Sequence, residues 1–378
     1  MERKAKEKES FFARVRPYVP GVSIVFFIFG GLGLIVHMIS YASTSFADFM
    51  NLRVSAVFRF VFAKLTGILP ISLAEIIVVG IPVWFALLIV VIVRASAHRR
   101  ATLRVFSFLL SVIAFLYGMF VFLYACGYRG SSLEDKLGLS TDEGFTAQQL
   151  YETALWLNGE VQSLEGQIGV EVSDRGSTVM PYSFSEMNSR LCDAYASLSE
   201  EYPFIQSMRT RVKPILLSHP LSYTHMTGFY TFFTGEANVC TSYPDYSTVY
   251  TTAHEMAHQR GIAPENEANF VAFLALVRSE DPYLRYCGYF NLLEYVNNSL
   301  YRADYTLFCR LNDAYSEGMR AEMNGYNQTY EQYGDTVISD IVQSANDKFL
   351  QSQGTPGRVS YGMVSDLAVA YYLSMQDD

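Results

Sequence analysis

Three long apolar stretches occupy the first third of the chain. Residues 21–42 and 105–126 contain no charged side chain, and residues 71–93 contain only Glu75, near their start. A helix of 22 residues rises about 33 Å, which is enough to cross a hydrocarbon core of about 30 Å. The pattern therefore predicts three transmembrane helices, and residues 1–126 are expected to form a membrane anchor.

The segment between the first two apolar stretches has a mixed pattern. Residues 46–65 combine many Phe, Val and Leu residues with Arg53, Arg59 and Lys64. A helix that lies in the membrane interface has this kind of composition. An ordinary loop with some helix explains the same residues equally well, so both interpretations stay open.

Beyond the third apolar stretch the pattern changes to that of a soluble domain. Residues 127–144 are rich in Gly, Ser and charged side chains and are interpreted as a linker. Apolar residues then recur with helical spacing over much of residues 145–378, and Thr146 with Gln149 forms a capping-box pattern before the first helix. Later helices are predicted over residues 264–276, 281–301, 305–322, 337–350 and 359–373. The aromatic stretch 228–235 is the best strand candidate, so we expect a fold that is mainly α with a small β-sheet.

Charge is divided unevenly between the two parts. Residues 1–126 carry 13 Lys and Arg against 5 Asp and Glu, a net charge of +8, whereas the remainder carries 15 against 32, a net charge of −17. The basic side chains crowd the segment before the first apolar stretch and the link between the second and third. Because basic segments stay in the cytoplasm, the N-terminus is predicted to be cytoplasmic and the domain after the third span extracytoplasmic. The acidic domain makes a nucleic-acid partner unexpected.

The clearest chemical signal is a His-Glu-x-x-His pattern within residues 251–261. His254 and His258 are four residues apart, so a helix places both imidazoles on one face, where they can bind one Zn²⁺. Glu255 follows the first histidine and is placed to accept a proton from water at the metal. Gly261 supplies a turn that folds the chain back toward the same face. The pattern predicts a zinc site with its own general base.

A catalytic zinc normally has three protein ligands, so a third is expected beyond Gly261. Two carboxylates, Glu265 and Glu267, lie just after the turn. Glutamate zincins, which this spacing resembles, commonly carry the third ligand as the first residue of a Glu-x-x-x-Asp pattern, whose last residue hydrogen-bonds a ligand histidine. Glu265 with Asn269 fits that spacing, with Asn in place of Asp, whereas Glu267 has Val271 at the same offset. Glu265 is the preferred ligand, Glu267 is the alternative, and Asn269 is expected to support a ligand histidine.

Other polar residues are weaker candidates for the site. Tyr361 is expected to be catalytic with Glu255, as a donor to the oxyanion of a tetrahedral intermediate. His225 is a rival donor, although a structural role explains it as well. Glu236 and Asn238 are expected either to line a cleft beside the strand or to satisfy a local turn.

Several of these segments resemble one known family. The likeness lies in residues 233–239, 254–261, 265–270 and 360–362. Together with the three apolar stretches, they are similar to an uncharacterised bacterial family of membrane-anchored zincin-like proteins, domain-of-unknown-function family 3810. Residues 265–269 are also similar to the Glu-x-Glu-Ala-Asp signature of membrane-linked M48-type peptidases, whose first Glu binds the metal. The resemblance implies a zincin-like domain at the bacterial cytoplasmic membrane and no particular substrate.

The expected function is that of a membrane-anchored zinc metallopeptidase, a hydrolase that cuts peptide or protein substrates at the outer face of the membrane. Its cofactor would be Zn²⁺, and the lipid bilayer would be its other partner. Two alternatives stay open: a non-catalytic zinc-binding envelope protein, and a metal-dependent amidase that acts on cell-wall peptides. The motif begins at His254, whereas the third apolar stretch ends at Cys126, and this separation argues against a site inside a membrane helix.

Overall fold

A computed structural model describes residues 15–141, 144–169 and 171–377 of the chain. Its first helical elements are α1 (Gly21–Ala42), α2 (Thr44–Phe49), a π-helical segment (Met50–Ser55), α3 (Ala56–Gly67), α4 (Leu73–Ser96) and α5 (Arg99–Leu123). Within the described residues, three helices are long and apolar enough to cross a membrane, namely α1, α4 and α5. They lie where the sequence predicts spans and indicate a membrane anchor. The prediction of membrane orientation relies in part on the basic residues among 1–14, which lie outside the described residues.

Capping residues and close contacts define the apolar helices. α4 begins after Ser72, whose side-chain oxygen accepts a hydrogen bond from the Glu75 amide. α5 begins at Arg99, earlier than the predicted span, because the basic link continues as helix. α1 packs along α5, and a Cβ at Gly33 would lie only 2.8 Å from the Cα of Gly118. Glycines therefore allow these two helices to approach closely.

The segment between α1 and α4 is helical over almost its whole length. The Arg59 side chain in α3 is fully buried and donates hydrogen bonds to Oδ1 of Asn51 and to the carbonyl of Leu123, which ends α5. Another hydrogen bond reaches the carbonyl of Arg260, much later in the chain. This segment is therefore packed between α5 and the later domain, and its position relative to a membrane stays a prediction.

The remainder of the described chain is mostly helical. Its helices are α6 (Leu133–Leu137), α7 (Ala147–Ile168), α8 (Phe184–Glu201), α9 (Ser218–Ser222), α10 (Asp245–Gln259), α11 (Glu265–Val277), α12 (Pro282–Ala303), α13 (Tyr305–Asp313), α14 (Glu317–Tyr333), α15 (Val337–Ser352) and α16 (Val364–Asp377), with a 3₁₀ segment (Gly357–Met363) before the last. Thr146 forms the predicted capping box with Gln149 at the start of α7. The helix predicted over 305–322 is instead two helices, because Ser316 caps a second one. The helix predicted over 359–373 begins with the 3₁₀ segment.

A three-stranded sheet lies beside α10 in the described part of the chain. Its strands are β1 (Lys213–Pro214), β2 (Gly228–Thr231) and β3 (Glu236–Val239), in the order β1-β3-β2. β3 pairs in parallel with β1 and antiparallel with β2. The strand predicted over 228–235 ends at Thr231, because the chain reverses in a turn that includes Gly235, whose φ is 70°. The predicted fold class, mainly α with a small sheet, is confirmed, and β2 is an edge strand.

The core of the domain is built around α10, α11 and α12. α11 is buried on every side, and all of residues 270–276 are inaccessible to solvent. α10 lies between the sheet and the helices α11 and α12. Tyr246 of α10 packs edge-on against Phe290 of α12, with ring centres 5.0 Å apart. This packing fixes the end of α10 and the start of α11, which carry the candidate metal ligands.

Residues 127–144, interpreted from composition as a linker, pack against the domain where the structure describes them. They contain α6, and Leu133 is fully buried in the same core as α11. The Leu133 amide also donates a hydrogen bond to Oε1 of Glu267. The composition of this segment, which is rich in Gly, Ser and charged residues, does not predict this contact, because only a few apolar residues make it.

Buried polar contacts join the sheet to α4. Glu236 of β3 accepts hydrogen bonds from the amides of Leu73 and Ala74 in the first turn of α4, at 3.1 and 3.0 Å. Its carboxylate also pairs with Lys213 of β1, and both side chains are fully buried. The Lys213 ammonium donates as well to the carbonyl of Thr66, which lies in α3. These contacts fix the sheet relative to the start of α4.

Candidate metal centre

α10 presents the His-Glu-x-x-His pattern to the interior of the domain. Asp245 lies in its first turn, where a negative charge suits the helix dipole. After Gln259 the chain turns through Gly261, whose φ is 94°. Glycine is needed there for space as well, because a Cβ would clash with Nη2 of Arg59. The turn directs the start of α11 back toward the histidines.

His254, His258 and Glu265 converge on one point. One donor atom from each lies within 4.8 Å of the others, and all three residues are buried. Oε2 of Glu265 is 3.2 Å from Nε2 of His254 and 3.4 Å from Nε2 of His258. Two imidazole nitrogens and one carboxylate oxygen therefore face a common space. This is the donor set of a zinc site that keeps one position open.

A backbone carbonyl fixes the orientation of His258. Its Nδ1–H donates to the carbonyl oxygen of Ile262, 2.7 Å away, which leaves Nε2 to face Glu265. The hydroxyl of Tyr124 lies 3.0 Å from the same Nδ1 atom. Tyr124 directly follows the last residue of α5. A candidate membrane helix therefore ends in contact with a candidate metal ligand.

The three groups perturb one another's protonation. Burial would raise the pKa of Glu265, but the two imidazoles outweigh it and bring that pKa well below its usual range. Burial lowers the pKa of His258, but the carboxylates of Glu265 and Glu255 more than offset this and raise it to about 9. The pKa of His254 is lowered, first by burial and then by the charge of His258. A bound cation would replace the protons that these groups hold in its absence.

Glu255 lies between the cluster and the edge strand. Its side chain is buried, and burial raises its pKa to about 8. Its Oε2 atom has no hydrogen-bond partner among the described residues. A Cβ at Gly228 of β2 would lie 2.7 Å from Oε1 of Glu255. Glycine at this position therefore allows β2 to run directly past the glutamate.

The two candidate third ligands face different surroundings. Glu265, the first residue of α11, faces the histidines, whereas Glu267 accepts the hydrogen bond from the Leu133 amide. Burial raises the pKa of Glu267 to about 7, a shift opposite in direction to that of Glu265. The geometry favours Glu265 over Glu267, and metal binding by either residue stays a prediction.

The residues of the cluster are chemically compatible with a zinc ion. Oε2 of Glu265 is buried between two imidazoles, yet it has no well-aligned hydrogen-bond donor among the described residues. A buried polar atom without a partner is costly unless an ion or a water molecule completes its surroundings. A set of two imidazole nitrogens and one carboxylate oxygen is one that Zn²⁺ prefers. The cluster can therefore accommodate the expected cofactor.

Tyr361 and Asn269 lie within electrostatic reach of the cluster. Burial raises the pKa of Tyr361 well above its usual value, and the carboxylates of Glu265 and Glu255 add to the shift. Asn269 is buried, and its side chain counteracts part of the lowering of the pKa of His254. The catalytic role of Tyr361 and the supporting role of Asn269 stay predictions.

The weaker candidates make structural contacts elsewhere. The imidazole of His225 bonds to a backbone carbonyl and stacks on Tyr330, with ring centres 4.1 Å apart. Glu236 is occupied by its contacts with β1 and α4. Asn238 donates to the carbonyl of Phe229 on the paired strand. None of these three residues belongs to the cluster around Glu265.

Sequence reasoning misses the residues that connect the cluster to the first third of the chain. Besides Tyr124, Asn51 donates through Nδ2 to the carbonyl of Gly261 at 2.9 Å, and Arg59 reaches the carbonyl of Arg260. The available signal was the presence of Asn and Arg in an otherwise apolar segment. A buried polar side chain needs hydrogen-bond partners, but the amino-acid sequence around it does not show where those partners lie.

Comparison with known proteins identifies one family. No curated protein and no solved structure matches the chain. The profile of the family described as Protein of unknown function (DUF3810) matches residues 51–369. This range contains α4, α5 and the whole candidate metal centre. Because the match covers most of the sequence, the chain belongs to the DUF3810 family.

Proposed function

We propose that this protein is a membrane-anchored, zinc-dependent metallopeptidase. One observation carries the proposal: His254, His258 and Glu265 converge in a buried site, with Glu255 between them and an edge strand. The likeness of residues 254–269 to glutamate zincins, including the M48 type, supports it. The three long apolar helices support the membrane anchor.

The chemistry assigns a role to each buried side chain. His254, His258 and Glu265 would hold the zinc ion, which when bound would polarise the substrate carbonyl and lower the pKa of the attacking water. Glu255 has an unpartnered carboxylate oxygen that would accept a proton from that water and pass it to the leaving amine. Tyr361 would donate a hydrogen bond to the developing oxyanion.

The edge strand offers a way to orient an extended peptide. β2 pairs with β3 and lies at one edge of the described sheet. A peptide that adds to such an edge gains main-chain hydrogen bonds regardless of its sequence. Because Gly228 of β2 lies against Glu255, an added peptide would pass close to the proposed base. This arrangement favours a peptide or protein substrate.

The outer face of the membrane is the proposed location of the site. Arg99 and Arg100 lie at the junction of α4 and α5, and basic links of this kind stay in the cytoplasm. α5 then leads away from the cytoplasm to Tyr124, which contacts His258. The charge pattern therefore supports an extracytoplasmic site in a multi-pass protein of the bacterial cytoplasmic membrane.

Replacement of Glu255 by Gln tests hydrolysis separately from metal binding. Gln has almost the same size but cannot accept the proton, so Glu255→Gln is expected to keep zinc and lose about 10²- to 10⁴-fold in rate. The measurement is a comparison of newly formed N-termini among envelope proteins in cells that carry the wild type or the variant. Termini that depend on the wild type are expected to disappear in the variant.

Glu267→Gln is the matched control for this experiment. Glu267 is also a buried glutamate near the site, but it faces the Leu133 amide instead of the histidines. The control is expected to leave the termini unchanged. Wild-type termini that persist in Glu255→Gln would refute the peptidase assignment. Zinc in a protein that generates no termini would instead favour a non-catalytic role, and products confined to cell-wall peptides would favour an amidase.

A further inference from the structure

α15 carries an apolar ridge that stays exposed over most of its length within the described residues. Val337, Ile341, Ala345 and Phe349 recur every four residues and are exposed, and Ile338 lies beside the first of them. The exposed fractions of Val337, Ile338 and Ile341 are 75%, 58% and 63%. Residues at this spacing share one face of a helix. Exposed apolar side chains that share one face of a helix are typical of an interaction site.

The ridge is continuous with the apolar surface of α5. Phe349, its last member, packs against Phe120 of α5, with ring centres 5.9 Å apart. Phe120 lies one helical turn, about 5 Å, before the end of α5. One turn earlier, Leu116 is 44% exposed. The Phe349 end of the ridge therefore meets the outward apolar surface of α5 at the place where this candidate membrane span ends.

Further exposed apolar side chains lie close to the start of α4. Glu75 in its first turn accepts hydrogen bonds from the amides of Leu216 and Leu217. Leu216 is 73% exposed, and Ile68, just before α4, is 77% exposed. α4 begins on the same side of the membrane as α5 ends, because the short link between them joins their other ends. Both sets of side chains therefore lie on the same side relative to the two spans.

From these contacts we propose that α15 is an interfacial helix that lies in the surface of the lipid bilayer beside α5, with its apolar ridge among the acyl chains. The occupant of the ridge is thus phospholipid, and neither a second copy of the chain nor another protein. α15 carries Asp340 and Asp347 against Lys348, so burial of apolar surface drives the insertion and attraction to anionic headgroups does not.

This position brings the candidate metal centre to the bilayer surface. The Phe349 ring lies 6.4 Å from that of Tyr128, which packs edge-on against Tyr124, and Tyr124 contacts His258. A short chain of aromatic rings therefore separates the lipid-facing ridge from the cluster. The substrate class that fits is a polypeptide anchored in the membrane and cut just outside it. This consequence rests on the proposed function, whereas the position of α15 does not.

Quenching of tryptophan fluorescence by brominated lipid tests the position of α15. The chain has two tryptophans. Trp84 is 59% exposed on the apolar surface of α4, and Trp156 is half-buried and packs against Tyr372 in the later domain. A chain with both replaced by Phe and with Ile341→Trp carries a single reporter on the ridge. The chain that keeps only Trp84 is the reference for the bilayer, and the chain that keeps only Trp156 is the reference for the domain outside it. Each full-length chain is reconstituted into phosphatidylcholine–phosphatidylglycerol vesicles with or without brominated acyl chains.

The Ile341→Trp reporter is expected to lose as much fluorescence in brominated vesicles as the Trp84 reference. Asp340→Trp is the matched control, because it lies on the polar side of the same helical turn, and it is expected to lose as little as the Trp156 reference. Val337→Trp is a second reporter on the ridge, to be used if the first variant does not fold. Ridge reporters that are quenched no more than Asp340→Trp, in vesicles where Trp84 is quenched, would overturn the proposal. The measurement needs no peptidase activity, so its failure is distinct from failure of the proposed function.

Discussion

The buried ion pair between Glu236 and Lys213 is predicted to be a strong link between the sheet and α4. Glu236→Gln keeps the size of the side chain and one acceptor oxygen, so one of the two α4 amides keeps its partner. The substitution removes the negative charge and leaves the Lys213 ammonium with the carbonyls of Thr66 and Ile71. Because both side chains are fully buried, water cannot take the place of the carboxylate.

The structure gives a magnitude for this perturbation. Removing one partner of a buried ion pair costs about 3–5 kcal/mol, because an uncompensated charge stays in the interior. The hydrogen bond lost at the start of α4 adds about 1 kcal/mol. Glu236→Gln is therefore expected to lower the free energy of unfolding by about 4–6 kcal/mol. A double variant with Lys213→Met contains neither charge and is expected to recover most of that loss.

Thermal unfolding of the full chain in detergent micelles measures the effect through intrinsic fluorescence. The expected loss corresponds to a melting temperature lower by roughly 10–20 °C for a domain of this size. Asp193→Asn is the control, because its ion pair with Arg209 is exposed to solvent and contributes little to stability. The prediction would be refuted if Glu236→Gln had the same melting temperature as the Asp193→Asn control. It would also be refuted if the double variant were less stable than Glu236→Gln alone.

Other predictions concern the metal ligands and a buried carboxylate. Glu265→Gln is expected to weaken zinc binding by more than the roughly 10- to 100-fold typical of residues that only support a ligand. Glu267→Gln is expected to leave zinc binding unchanged. If a calorimetric titration gives both variants the same affinity for zinc, the ligand assignment is contradicted. Tyr124→Phe removes the hydroxyl beside His258 and is expected to weaken zinc binding about 10-fold; an unchanged affinity in the same titration would make that contact incidental. Burial raises the pKa of Glu322 from 4.5 to about 7, so the folded state binds this proton more tightly than the unfolded chain does. The resulting stability of about 3 kcal/mol is fully present below pH 4.5 and is lost as the pH rises through about 7. Glu322→Gln is therefore expected to make the melting temperature less dependent on pH between pH 4.5 and about 7. A variant whose melting temperature depends on pH as strongly as that of the wild type would contradict this prediction.

Much of the fold can be predicted because its signals are local. The capping box of Thr146 and Gln149 and the cap at Asp281 each involve residues within one helical turn, and both mark true helix starts. Prediction failed where a second local signal competed with the pattern. Apolar periodicity continues through residues 305–322, but Ser316 caps a new helix and divides the segment.

The candidate site divides in the same way between local and distant contacts. His254, His258 and Glu265 lie within one helix, one glycine turn and the start of the next helix, so their spacing is enough to predict that they meet. The contact of Tyr124 with His258 depends on how α5 packs against the domain, and no local pattern encodes it. The long sequence separation between the third apolar stretch and the motif argues against a site inside a membrane helix, but it does not say how far apart the two lie in space. In the fold, α5 ends beside the cluster.

The contacts of Glu236 illustrate the same limit. Its neighbours in sequence suggest a turn or a cleft, whereas its true partners are Lys213 and the first amides of α4, which lie far earlier in the chain. A buried carboxylate must find donors, but only the tertiary structure decides which ones. Charge and composition therefore predict that such a residue needs partners without identifying them.

The zinc content of the purified full-length chain tests most directly whether His254, His258 and Glu265 bind one metal ion. The chain is reconstituted with zinc, freed of loosely bound metal and analysed by elemental mass spectrometry. The expected result is one zinc ion per chain in the wild type and in Glu255→Gln, and none in His254→Ala. A wild-type chain that retains no zinc, or a His254→Ala variant that retains as much as the wild type, would contradict the assignment.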